Sequence, residues 1–210
     1  MMRIDSVAAA ADRSGRHLVK FSDGSTMRLY RQTVEDFGLY PGLEVTDADM
    51  SRLQESAGQM SAKMRAVRIV AAANVSKADL QQRLVRKGES PKQAQEAVQW
   101  MEELSLVDDE ETARQLVQRC IAKGYGKVRA KQALYEKKIP KELWEAALED
   151  YPEQDEKIRV FLSARLTEQS DAKAVKRAVD ALLRRGHSYV QIRRVLADFL
   201  SDSDAFQEEY

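Results

Sequence analysis

Three stretches of this sequence line up with one another. Leu84-Val-Arg-Lys-Gly-Glu-Ser-Pro…Val98 aligns with Leu134-Tyr-Glu-Lys-Lys-Ile-Pro-Lys…Leu148 at an offset of 50, and the latter with Leu182-Leu-Arg-Arg-Gly-His-Ser-Tyr…Leu196 at an offset of 48. In each copy a basic pair closes a helix: Arg86/Lys87, Lys137/Lys138 and Arg184/Arg185. A tight turn follows, and the next helix carries an apolar anchor at one place (Ala94, Trp144, Ile192). Room remains for one more helix upstream of each copy, at 62–73, 109–123 and 154–168. The chain therefore reads as tandem three-helix repeats. One such unit is marginal alone, and stacking buries the faces that it leaves exposed.

Helix starts and stops agree with the repeat. Ser76-Lys-Ala-Asp79, Asp108-Asp-Glu-Glu111 and Ser188-Tyr-Val-Gln191 have capping patterns, and Ser90-Pro91 sets a cap before a first-turn proline. Gly88, Gly124 and Gly186 fall where helices should stop. The segment 47–73 reads as helix with a break near Gly58. Only the start of the chain reads otherwise. His17 to Phe21 and Met27 to Tyr30 are strand-like runs around Asp23-Gly24, a strong hairpin signal, and Arg3 to Ala9 supplies a third strand. Thr33-Val-Glu-Asp36 reads as a capping box opening a short helix that Tyr40-Pro-Gly42 ends. Only 9 glycines and 4 prolines argue against an all-β chain full of turns.

The expected fold is mainly α: tandem three-helix repeats in an elongated curved array, with a small N-terminal antiparallel β-hairpin region. The divisions are 1–50 (hairpin region), 51–107 (linker helix and first repeat), 108–153 (second repeat), 154–202 (third repeat) and 203–210 (tail).

Zero net charge, from 34 basic and 34 acidic residues, hides segregation. Residues 61–140 and 158–197 are basic, and 141–157 are acidic. Lys127, Lys131 and Lys138 stand at i, i+4 and i+11 and are expected to share a helix face; Lys173, Arg177 and Arg184 repeat the spacing. Ala130/Ala133/Leu134 and Val175/Val179/Leu182 are the matching core faces. A basic stripe is ordinarily a solvated face. Two at equivalent repeat positions point instead to an anionic partner, because like charges at i, i+4 weaken a helix.

Chemistry-bearing patterns are scarce. No P-loop, dinucleotide fingerprint, nucleophile elbow or His-Glu metal spacing occurs. Lys123-Gly-Tyr-Gly126 imitates a phosphate loop but follows no strand, and a helix stop explains it better. Asp108-Asp-Glu-Glu111 is a cap before it is a metal site. Cys120, Trp100 and Trp144 sit at apolar helix positions and read as packing residues. His187, aligned with Glu89 and Ile139, reads as a turn residue. Tyr125, in a turn between basic helices, either stacks or fills a gap. One cysteine excludes a disulfide framework, and no apolar run approaches the ~20 residues of a membrane helix. Asp5, Asp12 and Arg13 interrupt any signal-peptide pattern. A cytoplasmic monomer with no cofactor, metal or membrane partner is expected.

Leu106-Val-Asp-Asp109, Ala113, Lys123-Gly-Tyr-Gly126-Lys-Val-Arg129 and Leu134…Lys137-Lys-Ile139 resemble the signature of RecX regulatory proteins. Ser76-Lys-Ala-Asp-Leu80…Leu84…Lys87-Gly88 and Val98…Met101…Leu104 are similar to that family's first repeat. The resemblance covers about 62–200. Thr112 stands where the family has an aromatic residue, Lys138 where it has glycine, and Ala130 where it has a large apolar one.

The resemblance implies a non-enzymatic protein that binds the RecA recombinase and its filament on single-stranded DNA. It would restrain filament growth and so reduce ATPase, strand-exchange and co-protease activity in recombination and the SOS response. The family's concave, partly basic face would take Lys123, Lys127, Arg129, Lys131, Arg184 and Arg185. The wider basic set adds Arg86, Lys87, Tyr125, Lys137, Lys138, Lys173 and Arg177. The other reading is a protein that binds single- or double-stranded DNA directly through helix-turn-helix-like repeats.

Overall fold

The computed structural model describes residues 1–10, 15–167 and 170–205. They form two compact units, Met1–Val107 and Asp108–Tyr210.

The first unit opens with β1 (Met2–Ala9), β2 (Arg16–Phe21) and β3 (Thr26–Tyr30), then α1 (Arg31–Asp36) and β4 (Glu44–Val45). The sheet order is β3-β2-β1-β4, antiparallel throughout. The Asp23-Gly24 turn sets the register: Asp23 Oδ1 accepts from Ser25 N–H at 2.9 Å and Ser25 Oγ at 2.6 Å. Alternation then sends Val19, Phe21 and Leu29 to one face, where they pack with Ile4, Leu39, Val45, Met50 and Leu53. Thr33 does not open α1. The helix runs straight on from β3 with Tyr30 as its N-cap, and Thr33 is buried inside it. The ion pair of Arg31 with Glu35, at 2.6 Å, spans its first turn.

Helix α2 (Asp47–Ala72) runs unbroken through Gly58, contrary to the expected break. Glycine is there for contact. A Cβ at Gly58 would lie 2.0 Å from the Gln93 side chain of α4 (Pro91–Glu103). One helix thus gives Met50 and Leu53 to the sheet core, and Ala62, Ala66 and Ile69 to a bundle with α3 (Lys77–Arg86) and α4. Ser76 Oγ accepts from Asp79 N–H, and Ser90 with Gln93 completes a capping box. Leu80, Leu84, Ala94, Ala97 and Met101 fill the bundle.

The second unit holds α5 (Asp109–Ala122), α6 (Lys127–Glu136), a 3-10 turn (Lys141–Leu143) and α7 (Trp144–Leu148), then α8 (Asp155–Ser163), α9 (Ala172–Arg184) and α10 (Tyr189–Ala205). Asp108 accepts from Glu110 and Glu111 N–H, as a cap should. Ala113, Val117, Cys120, Ala130 and Leu134 form one core, and Ile158, Leu162, Ala178, Leu182 and Ile192 the other. Burial raises the Cys120 thiol pKa, as suits a packing residue. Trp144 is only half-buried, its Nε1–H donating to the Ile139 carbonyl at 3.0 Å. Helix α8 is shorter than the expected 154–168, whose Glu168 lies outside the described residues, as do tail positions 206–210. The Ser188 cap forms, but Gln191 turns its amide to Asp155 at 2.8 Å and so ties α10 to α8 instead of closing the box.

Candidate partner-binding surface

The Lys123–Gly126 turn is a joint between the second and third repeats. Gly126 opens α6 without a side chain to cap it. Its N–H donates to the Arg185 carbonyl at 3.0 Å, and Val128 N–H donates to the Gly186 carbonyl at 3.2 Å. Carbonyls that end α9 thereby satisfy the free donors that start α6, with the two helix dipoles in favourable sense. The backbones nearly touch. A Cβ on Gly126 would fall 2.0 Å from Gly186 O, and one on Gly186 would fall 2.3 Å from Arg129 N.

His187 completes the joint. It is buried, with Nε2 3.1 Å from the Gly124 carbonyl. Desolvation lowers its pKa, so the ring is neutral at pH 7 and Nε2 carries the donated proton. Tyr151 Oη donates to the Tyr125 carbonyl at 2.6 Å, and burial raises its pKa to about 12.

Six of the expected basic residues of the second unit are exposed and make no ion pair among the described residues: Lys123, Lys127, Lys131, Lys173, Arg177 and Arg184. At the joint the backbone of Gly126, Val128 and Arg129 meets that of Arg185 and Gly186. Lys173 and Arg177 share α9 with Arg184. Arg86 and Lys87 are exposed at the end of α3, in the first unit.

Five positions differ from the simple basic-stripe expectation. Helix α6 stops at Glu136, and Lys138 sits beyond it with φ +56, so it does not continue the Lys127–Lys131 face. Lys137 and Lys138 are half-buried and engaged. Arg129 pairs with Glu136 at 3.3 Å. Lys127 and Lys131 border a groove of about 790 Å³ that Lys141, Trp144, Glu142, Glu145 and Glu149 also line, so their flank is mixed in charge.

Two participants escaped the sequence reading. Arg185 lies 5.9 Å from the Tyr125 ring centre and 4.8 Å from that of Phe161, and Arg165 lies 3.8 Å from Phe161. Tyr125 fills a gap, packing against the core of the second repeat, with the Arg185 guanidinium at the outer limit of a cation–π contact. The Phe161/Arg165 pair is an i, i+4 signal; its meeting with Arg185 needs the tertiary fold. Among the described residues no group of three or more His, Cys, Asp or Glu could hold a metal ion, and no helix is long and apolar enough to cross a membrane.

Residues 108–148, which span α5 to α7, match the family model for the second three-helix domain of RecX. The chain superposes on a crystal structure of regulatory protein RecX with a TM-score of 0.67, covering 94% of this chain and 100% of that one at 17% identity. This is the RecX fold. RecX from Lactobacillus salivarius aligns with a TM-score of 0.59 and 18% identity, over 69% of this chain and 97% of that one. No curated protein sequence matches significantly. What this chain shares with RecX proteins is thus one domain of the family's sequence model and the fold.

Proposed function

We propose that this RecX-like chain regulates by occupancy: it binds the RecA recombinase and its filament on single-stranded DNA and restrains filament growth. ATP hydrolysis, strand exchange and co-protease activity fall in consequence, with no chemistry performed by the chain. The reading rests on one coincidence. The segment that matches the RecX domain also carries exposed, unpaired lysines, Lys123, Lys127 and Lys131, and its α6 is joined by backbone hydrogen bonds to the end of α9, the helix that carries exposed Arg184. Cations in this setting steer the approach of an anionic surface.

Titration into RecA filaments on single-stranded DNA tests it. Sub-stoichiometric inhibition of DNA-dependent ATP hydrolysis is expected, and unchanged hydrolysis at saturation overturns the proposal. Lys127→Glu with Lys131→Glu should weaken inhibition about tenfold without altering the unfolding midpoint, since both side chains are exposed. Direct DNA binding is the second reading, favoured by the unpaired cations of α6 and α9. It requires log affinity for DNA alone to fall linearly with log salt.

A further inference from the structure

The first unit has a cationic cluster that the reading above does not use. Arg16 Nη2 donates to Tyr30 Oη at 2.9 Å, and Arg68 Nη2, from α2, donates to the same oxygen at 2.8 Å. The Arg16 guanidinium also lies 4.7 Å from the Tyr30 ring centre. Neither arginine has an ion pair among the described residues, and the buried Arg16 Nε–H has no acceptor. Two guanidiniums therefore converge on one neutral oxygen. Among the described residues, only a phenol offsets their mutual repulsion.

Register explains the meeting on the sheet side. Arg16 is directly opposite Tyr30, and Lys20 and Arg28 share their face by alternation. The Tyr30 hydroxyl, having accepted twice, still has its own proton to give. Unused N–H groups on two guanidiniums and one O–H make a donor set suited to a tetrahedral oxyanion, with charge that such an anion would neutralise.

We propose that Arg16, Tyr30 and Arg68 form a phosphate-binding site, filled by a phosphodiester of single-stranded nucleic acid or by free phosphate. The site is on the sheet unit, away from the RecX-matching segment in sequence, so it stands or falls separately from recombinase inhibition.

The test uses the full chain, with side-chain Nε–Hε resonances of Arg16 and Arg68 assigned by their loss in Arg16→Lys and Arg68→Lys. Inorganic phosphate and a twenty-residue oligothymidylate are titrated in turn. Saturable shifts of both resonances are expected. Shifts with both probes, or with phosphate alone, assign a site for the free ion's chemistry; shifts with the oligonucleotide alone assign the polynucleotide backbone. Arg68→Gln, at an exposed position, should weaken binding of the responding probe about tenfold, and for the oligonucleotide should lower the salt slope by about one. Tyr30→Phe keeps the ring and should weaken it about threefold. Resonances that stay still with both probes, or equal binding by wild type and Arg68→Gln, overturn the proposal.

Discussion

The turn after the second helix of the first repeat and its counterpart in the third have the same backbone and different employment. In each, the residue after the glycine donates its N–H back five positions, Glu89 to Leu84 and His187 to Leu182, and the glycine is left-handed at φ +95 or +86. The first turn stands open: a Cβ on Gly88 would meet nothing within 4 Å. Glu89 beside it is buried and accepts from Arg65 Nε at 2.7 Å and Ser61 Oγ at 3.1 Å, both on α2. The third turn is pressed against the start of α6, and His187 reaches across to Gly124. The repeat specifies the turn; the residue after it specifies what the turn grips.

The two turns differ most at their glycines. Gly186→Ala adds a backbone collision to an unfavourable φ and should cost ~4 kcal/mol in urea unfolding of the second unit. Gly88→Ala meets only the φ penalty, about 1–2 kcal/mol. Equal costs would mean that the α6–α9 joint does not form.

Next in size is a pH effect. His187 has a depressed pKa in the folded protein, so the unfolded chain binds the extra proton first. Stability is fully present above the unfolded value of 6.5 and should fall as pH drops below it. His187→Gln keeps an N–H for Gly124 and should flatten that slope, read as the thermal midpoint between pH 7.5 and 5. A slope that survives the substitution would place the acid sensitivity elsewhere.

The smallest effect is at the second repeat's own turn. Lys138 holds φ +56 where its counterparts are glycines. Lys138→Gly should stabilise by about 0.5–1 kcal/mol in denaturant unfolding. A loss would show that the contacts of Lys138 outweigh its backbone strain.

Legibility followed sequence distance. The hairpin was readable because Asp23-Gly24 fixes pairing over a few residues, and so were the Ser76, Ser90 and Asp108 caps. Gly58 misled because its reason, Gln93, is on another helix. Thr33 carried a capping pattern in the wrong turn, since the strand before it had already begun the helix. At the surface, Lys127 and Lys131 followed from helical spacing, whereas Lys138 did not, because spacing assumes that the helix continues. His187 and Gly124 are 63 positions apart, and Arg68 and Tyr30 are 38 apart. No local pattern announces either pair, although the hairpin turn alone places Arg16 opposite Tyr30.

The uninterrupted α2 has a mechanical corollary. A single 26-residue spar is rooted in the sheet at one end and in the helical bundle at the other, with no hinge along its length. The strands and the α3/α4 bundle are therefore coupled through one continuous helix, so whatever grips the hairpin also bears on the first repeat.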